Sequence, residues 1–179
     1  MDINAKKEIQ SWVKTLTIGL GLALGIKTFL FAPYKVDGAS MEPTLHSHEK
    51  IFVNKLNFID SFNRGDIVII KGKEENYVKM LIDLPGDKIE MKNDKLFIND
   101  VLFKEPYLSQ NLKLAKEMGT LLTDDFGPIT VPKNKYFVMG DNRLVSMDSR
   151  NGLGFFSKED IVGHSEFVLY PFSNIRNTK

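Results

Sequence analysis

A chain of 179 residues with 42% hydrophobic content can bury one domain's core and still carry an appendage. A formal net charge of +1 gives no global reason to expect nucleic acid as a partner, which calls for a strong basic excess or a basic face. With no cysteine, disulfides and thiolate-held metals are excluded, and an extracytoplasmic domain that needs neither is compatible with the composition.

Charge is arranged by segment. Residues 1–36 carry Lys6, Lys7, Lys14, Lys27 and Lys35 against Asp2 and Glu8, while the remainder is slightly acidic. From Thr15 the chain reads TLTIGLGLALGI, then Lys27, then TFLFAPY. As a helix these roughly 20 residues would cover the ~30 Å core of a bilayer, so residues 15–34 are expected to form a single transmembrane anchor. Lys27, near Pro33, would have to snorkel, and Trp12 stands where an interfacial aromatic would. The lysines before the span predict a cytoplasmic tail over residues 1–14 and an extracytoplasmic domain over 35–179. FLFAPYK offers bulky residues and a proline rather than a small-x-small cleavage site, which favours a retained anchor over a cleaved signal peptide.

After this segment the composition changes to short runs rich in Ile, Val, Phe and Tyr: KIFVNK, GDIVIIKG, YVKMLI, DKIEM, KLFIND, KYFVMGD and DIVGHSEFVLYPF. Several are bounded by Asn, Asp, Gly or Pro, as strands are, and the expected fold is a mainly β, antiparallel domain. Asn93-Asp94 and Asn99-Asp100 fall between successive runs and are expected to be tight hairpin turns. The interval from about 108 to 132 is more polar, with QNLKLAKEMGTLL weakly helical, and reads as a surface excursion or small cap.

Lys79 sits inside NYVKMLI, where both faces of the strand are otherwise apolar. In water a lysine is neutral in roughly one molecule in a few thousand at pH 7, too seldom to serve as a general base. Burial disfavours the ammonium form, and a drop of two to three pKa units would make the amine a usable base. An edge-strand lysine reaching solvent, or half of a buried ion pair, would leave the same pattern. The candidate nucleophile is Ser40 in DGASMEPTL, after the flexible Gly38-Ala39 step and before Pro43, where a turn can present a hydroxyl beside backbone amides. A third stretch, GDNRLVSMDSRNGLG, crowds polar groups directly behind the strand KYFVM.

SMEPTL, YVKMLIDLPGD and GDNRLVSMDSRNGLG, in this order, resemble the bacterial type I signal peptidases, serine proteases that use a serine and a lysine in place of a full triad. The resemblance covers nearly the whole chain and points to the compact Gram-positive form. It implies a β catalytic domain of signal-peptidase type with Ser40 as nucleophile and Lys79 as general base, and calls for no cofactor. Ser146 matches the hydroxyl that orients the lysine. Asp141, Arg143, Asp148 and Arg150 match charged positions that brace the site. Relatives that place a second hydroxyl donor two positions before the nucleophile have a counterpart here in Gly38, which could help the oxyanion only through its backbone. The implied substrates are secretory preproteins with Ala-x-Ala-like cleavage sites, met at the lipid bilayer.

The chain departs from the family pattern at Met80, Asp83 and Leu144-Val145. Asp83 could be a carboxylate near the amine, which would raise the amine's pKa. A catalytically silent, peptidase-like chaperone of surface-fibre assembly would usually lack the dyad. A soluble self-cleaving repressor would bring a DNA-binding helix-turn-helix. His46 and His48 in HSHE have metal-like spacing but no evident third ligand, and a solvated loop is the better reading.

Overall fold

A computed structural model describes residues 3–56 and 61–178. Helix α1 (Ile3–Leu30) is followed by strands β1 (Phe31–Lys35), β2 (Lys50–Asn54), β3 (Ile67–Lys71), β4 (Asn76–Asp83), β5 (Lys88–Lys92), β6 (Lys95–Ile98) and β7 (Val101–Phe103). Helix α2 (Ser109–Glu117) then precedes β8 (Phe126–Thr130), β9 (Lys135–Met139), β10 (Phe156–Ser157), β11 (Ile161–Tyr170) and β12 (Arg176–Asn177). The strands form a large sheet in the order β1-β2-β11-β3-β4-β9-β10, with β12 beside β11, and a small sheet in the order β7-β6-β5-β8. Every pairing is antiparallel, as expected.

The central strands read as continuous apolar runs because both of their faces are covered. In β3, Ile67 and Ile69 pack with Ile51, Val53, Met80, Ile82 and Met139, a core that continues into Ile89, Met91, Leu96 and Ile98 of the small sheet. Val68 and Ile70 face the other way, onto Phe62, Leu81, Val138, Phe156 and Ile161. Each such side chain contributes about 1.5–3 kcal/mol through its burial. The departure at Met80 is absorbed here, as an apolar side chain in the main core.

Both expected hairpin turns are present. Asn93 and Asp94 (φ 48° and 59°) join β5 to β6, and Asn99 and Asp100 (φ 51° and 66°) join β6 to β7. Two successive left-handed residues match the twist of a two-residue hairpin, and Asn and Asp tolerate that region. In the polar interval, α2 packs Ala115 with Leu108 and Leu122 in a small core of its own.

The amino-terminal segment corrects the expected anchor. No helix among the described residues is long and apolar enough to cross a membrane. Although α1 runs to 28 residues, Lys14 and Lys27 bracket its uncharged stretch, which at 1.5 Å per residue covers about 18 Å of a ~30 Å core. The apolar residues after Lys27 cannot extend it, because the helix stops at Leu30 and Phe31–Lys35 pairs with β2 as the end strand of the large sheet. The single-pass topology, with a cytoplasmic amino terminus and an extracytoplasmic catalytic domain, rested on that span and is withdrawn with it. The side chain of Lys27, expected to snorkel, lies outside the described residues.

Candidate active site

Ser40 lies in the loop between β1 and β2, which is held from three sides. Met41 and Leu45 anchor it in the main core, and the Leu45 amide donates to the Met41 carbonyl at 3.0 Å. The Thr44 hydroxyl donates to the Asp141 carboxylate. Arg176 of β12 donates to the Thr44 carbonyl at 2.6 Å and grips both carboxylate oxygens of buried Glu49 at 2.8 Å. The HSHE glutamate is thus locked by an arginine, while His46 and His48 stand at the surface beside Glu42 and Asp37. Gly38 takes φ +94°, a conformation that favours glycine, and its amide donates to Ser47 Oγ at 3.2 Å. The Ser40 amide donates to no acceptor among the described residues.

Lys79 is only 3% exposed, and its Nζ donates to Ser146 Oγ at 3.1 Å. It shares with Ser40 the walls of a cleft of about 490 Å³, together with Tyr34, Val36, Ile69, Tyr77 and Val78. Burial holds the Lys79 amine below its ordinary pKa; Asp148 and Asp141 pull it back up, and Arg150 pushes it down. The nucleophile loop and the lysine's partner meet at Gly140. A Cβ there would collide with Ser146 Oγ and with the Ser40 carbonyl oxygen, so only glycine lets the nucleophile loop and the lysine's partner approach so closely. The Asn142 amide donates to the same Ser40 carbonyl at 3.0 Å, and its side chain donates to the Ala39 carbonyl at 3.2 Å.

The expected charged braces are all buried or nearly so; Asp148 pairs with its neighbour Arg150, whereas Arg143 pairs outside the loop. Asp148 accepts from the Gly140 amide at 2.9 Å and from Arg150 Nε and Nη2, both at 2.8 Å. Burial alone would raise the Asp148 pKa, and the Arg150 bonds outweigh it and hold the carboxyl below its ordinary value. Arg143 turns from its neighbour Asp141 to Glu105, at 2.6 Å, and donates through Nε to the Gly140 carbonyl at 3.0 Å. Asp141 keeps Thr44, and burial raises its pKa to about 6. Asp83 does not reach the amine. It bonds Arg64 at 3.0 Å, and Arg64 also grips Asp87, so this departure is compensated locally.

Several site residues escaped the sequence reading. Gly140 was visible only as one glycine in a polar loop. Glu105, the partner of Arg143, directly precedes the expected surface excursion, and Asn111 of α2, whose side chain donates to the Glu42 carbonyl at 3.0 Å and the Asp141 carbonyl at 2.9 Å, lies within it. Each is a polar residue facing inward, Asn111 on a short helix and Glu105 in the segment before it, and in sequence such a residue is indistinguishable from a solvated one.

Residues 9–170 match the family described as Signal peptidase, peptidase S26. Signal peptidase I of Bacillus amyloliquefaciens is 57% identical over 175 residues, covering 97% of this chain and 95% of that protein. Signal peptidase I P of Bacillus subtilis subsp. natto is 59% identical over 177 residues, covering 97% and 95% respectively. The crystal structure of a signal peptidase I from Enterococcus faecalis V583 superimposes with a TM-score of 0.53 at 34% identity, over 59% of this chain and 97% of that one. The chain belongs to the bacterial signal peptidase I family. It is a serine endopeptidase of the serine/lysine dyad type that removes signal peptides from secreted preproteins. Family membership implies preprotein substrates and a membrane context. The chaperone reading finds no support.

Proposed function

We propose that Ser40 is the nucleophile and Lys79 the general base of this peptidase. The observation that carries the assignment is the buried Lys79 amine, bonded to an uncharged hydroxyl in the same cleft as Ser40. A neutral amine takes the Ser40 proton as Oγ attacks the scissile carbonyl, passes it to the leaving nitrogen, and then activates the water that hydrolyses the acyl-enzyme. Ser146 orients Nζ. The unengaged Ser40 amide is the donor for the oxyanion, whereas the Gly38 amide is already spent on Ser47. Asp148 with Arg150, and Arg143 with Glu105, hold Gly140 and thereby the spacing between nucleophile and base.

The substrates of this reading are preproteins with small residues at the two specificity positions, in the Ala-x-Ala manner. β1 ends the large sheet, and β9 pairs with β4 only from Met80 onward, so Asn76–Lys79 has an unpaired edge along the cleft. An extended signal-peptide segment can add to these edges and place side chains against Val36, Ile69 and Val78. Incubating wild type, Ser40→Ala and Lys79→Ala with a labelled preprotein, and locating the cut by mass spectrometry, tests the assignment. Cleavage after Ala-x-Ala by wild type alone supports it, and a cleaving variant refutes it.

A further inference from the structure

We propose that Val145 and Met147 form an apolar lip on the leaving-group side of the cleft and select the first residue of the mature chain. The inference rests on the Ser40/Lys79 reading above. Ser146 is buried and turns inward to accept from Lys79 Nζ, while Val145 and Met147 on either side of it are 65% and 49% exposed and line the cleft. Met147 reaches past Gly152, where an added Cβ would lie 3.6 Å from its Cγ and Sδ. The leaving nitrogen must come within reach of Nζ to receive its proton. The residue that carries this nitrogen is the first of the released chain, so it lies against the loop that holds Nζ. In the reading above, the acyl side of the substrate is taken up by the edges at Tyr34–Gly38 and Asn76–Val78, which line the same cleft.

Two large apolar side chains left in water at this point recover burial when an apolar residue follows the cut, and gain nothing from an acidic one. The test uses matched peptides with one Ala-x-Ala signal segment and either Leu or Asp as the first mature residue. Wild type is expected to favour Leu by about tenfold in kcat/KM. Val145→Asn combined with Met147→Asn should bring that ratio close to one while leaving cleavage of the Asp peptide within about threefold, and Met147→Leu should keep the preference. A wild type indifferent to the first mature residue, or a double variant that retains the wild-type ratio, overturns the lip. So does a double variant whose discrimination changes at the residue before the cut instead. Ser40→Ala is assayed in parallel: cleavage by that variant would bring down the dyad reading itself, an outcome distinct from failure of the lip.

Discussion

Lys79 and Asp83 occupy the two ends of one stretch of β4, and both are almost wholly buried. Burial drives each toward its neutral form, lowering the pKa of the amine and raising that of the carboxyl to about 7. Their partners differ. The amine bonds a hydroxyl, which fixes its direction without favouring its charge, and it opens onto the cleft beside Ser40. Asp83 bonds the Arg64 guanidinium, which Asp87 shares, at the point where the large sheet hands over to the small one. A perturbed ionisable group is therefore not in itself a mark of catalysis: access to a reacting partner separates the base from the brace.

The comparison breaks most severely at the lysine. Ser40→Ala, Lys79→Ala and Lys79→Arg should each lower preprotein cleavage by on the order of 10⁴-fold or more, the last because a guanidinium cannot supply a neutral base. Lys79→Met should at the same time raise the melting temperature near pH 7, since it removes the cost of burying the amine. Melting curves and single-turnover assays on the same preparations check both halves.

Gly140→Ala should cost about 100-fold or more in kcat, because the added methyl separates the Ser40 loop from Ser146. Processing assays alongside circular dichroism would show a folded enzyme with its dyad spread apart.

Arg150→Met should act through the charge balance at the amine. Arg150 lowers the Lys79 pKa and is the principal partner of Asp148, which raises it. Without the guanidinium the amine becomes harder to deprotonate, and activity near pH 7 falls. Activity should return as the pH is raised, so the pH-rate profile of the variant lies to the alkaline side of wild type. A loss that persists at alkaline pH would indicate structural damage instead.

At the other end of the stretch, Asp83→Asn should leave kcat within about twofold. Between about pH 4 and 7 the folded chain retains a proton that the unfolded chain has released, so wild-type stability falls as pH rises through that window. The carboxamide carries no such penalty and is expected to be more stable by about 1–3 kcal/mol at pH 8, with the difference vanishing near pH 4. Denaturant titrations at the two pH values measure it.

Most of the sheet was legible as runs of Ile, Val and Phe between turn residues, and the Asn-Asp hairpins were legible from the tolerance of those residues for left-handed backbone. β1 was not, because FLFAPYK reads as the end of an apolar span until β2 is there to pair with it. β8 was not, because a short strand with largely exposed side chains carries little periodic signal. The anchor was misread for a related reason: an apolar stretch was extended across Lys27 into residues that belong to the sheet.

The sequence alone determined the chemistry on offer: a serine in a flexible turn, a lysine in an apolar strand, and a polar loop behind a third strand. These depend on side-chain type and local pattern, which a linear chain displays in full. Only the tertiary structure decided that Ser146 takes the amine, that Arg143 pairs with Glu105 rather than with Asp141, and that Asp83 is held away from the base by Arg64. Desolvation and charge pairing act through space between segments far apart in the chain, so the state of each buried group is a property of its neighbours in the fold.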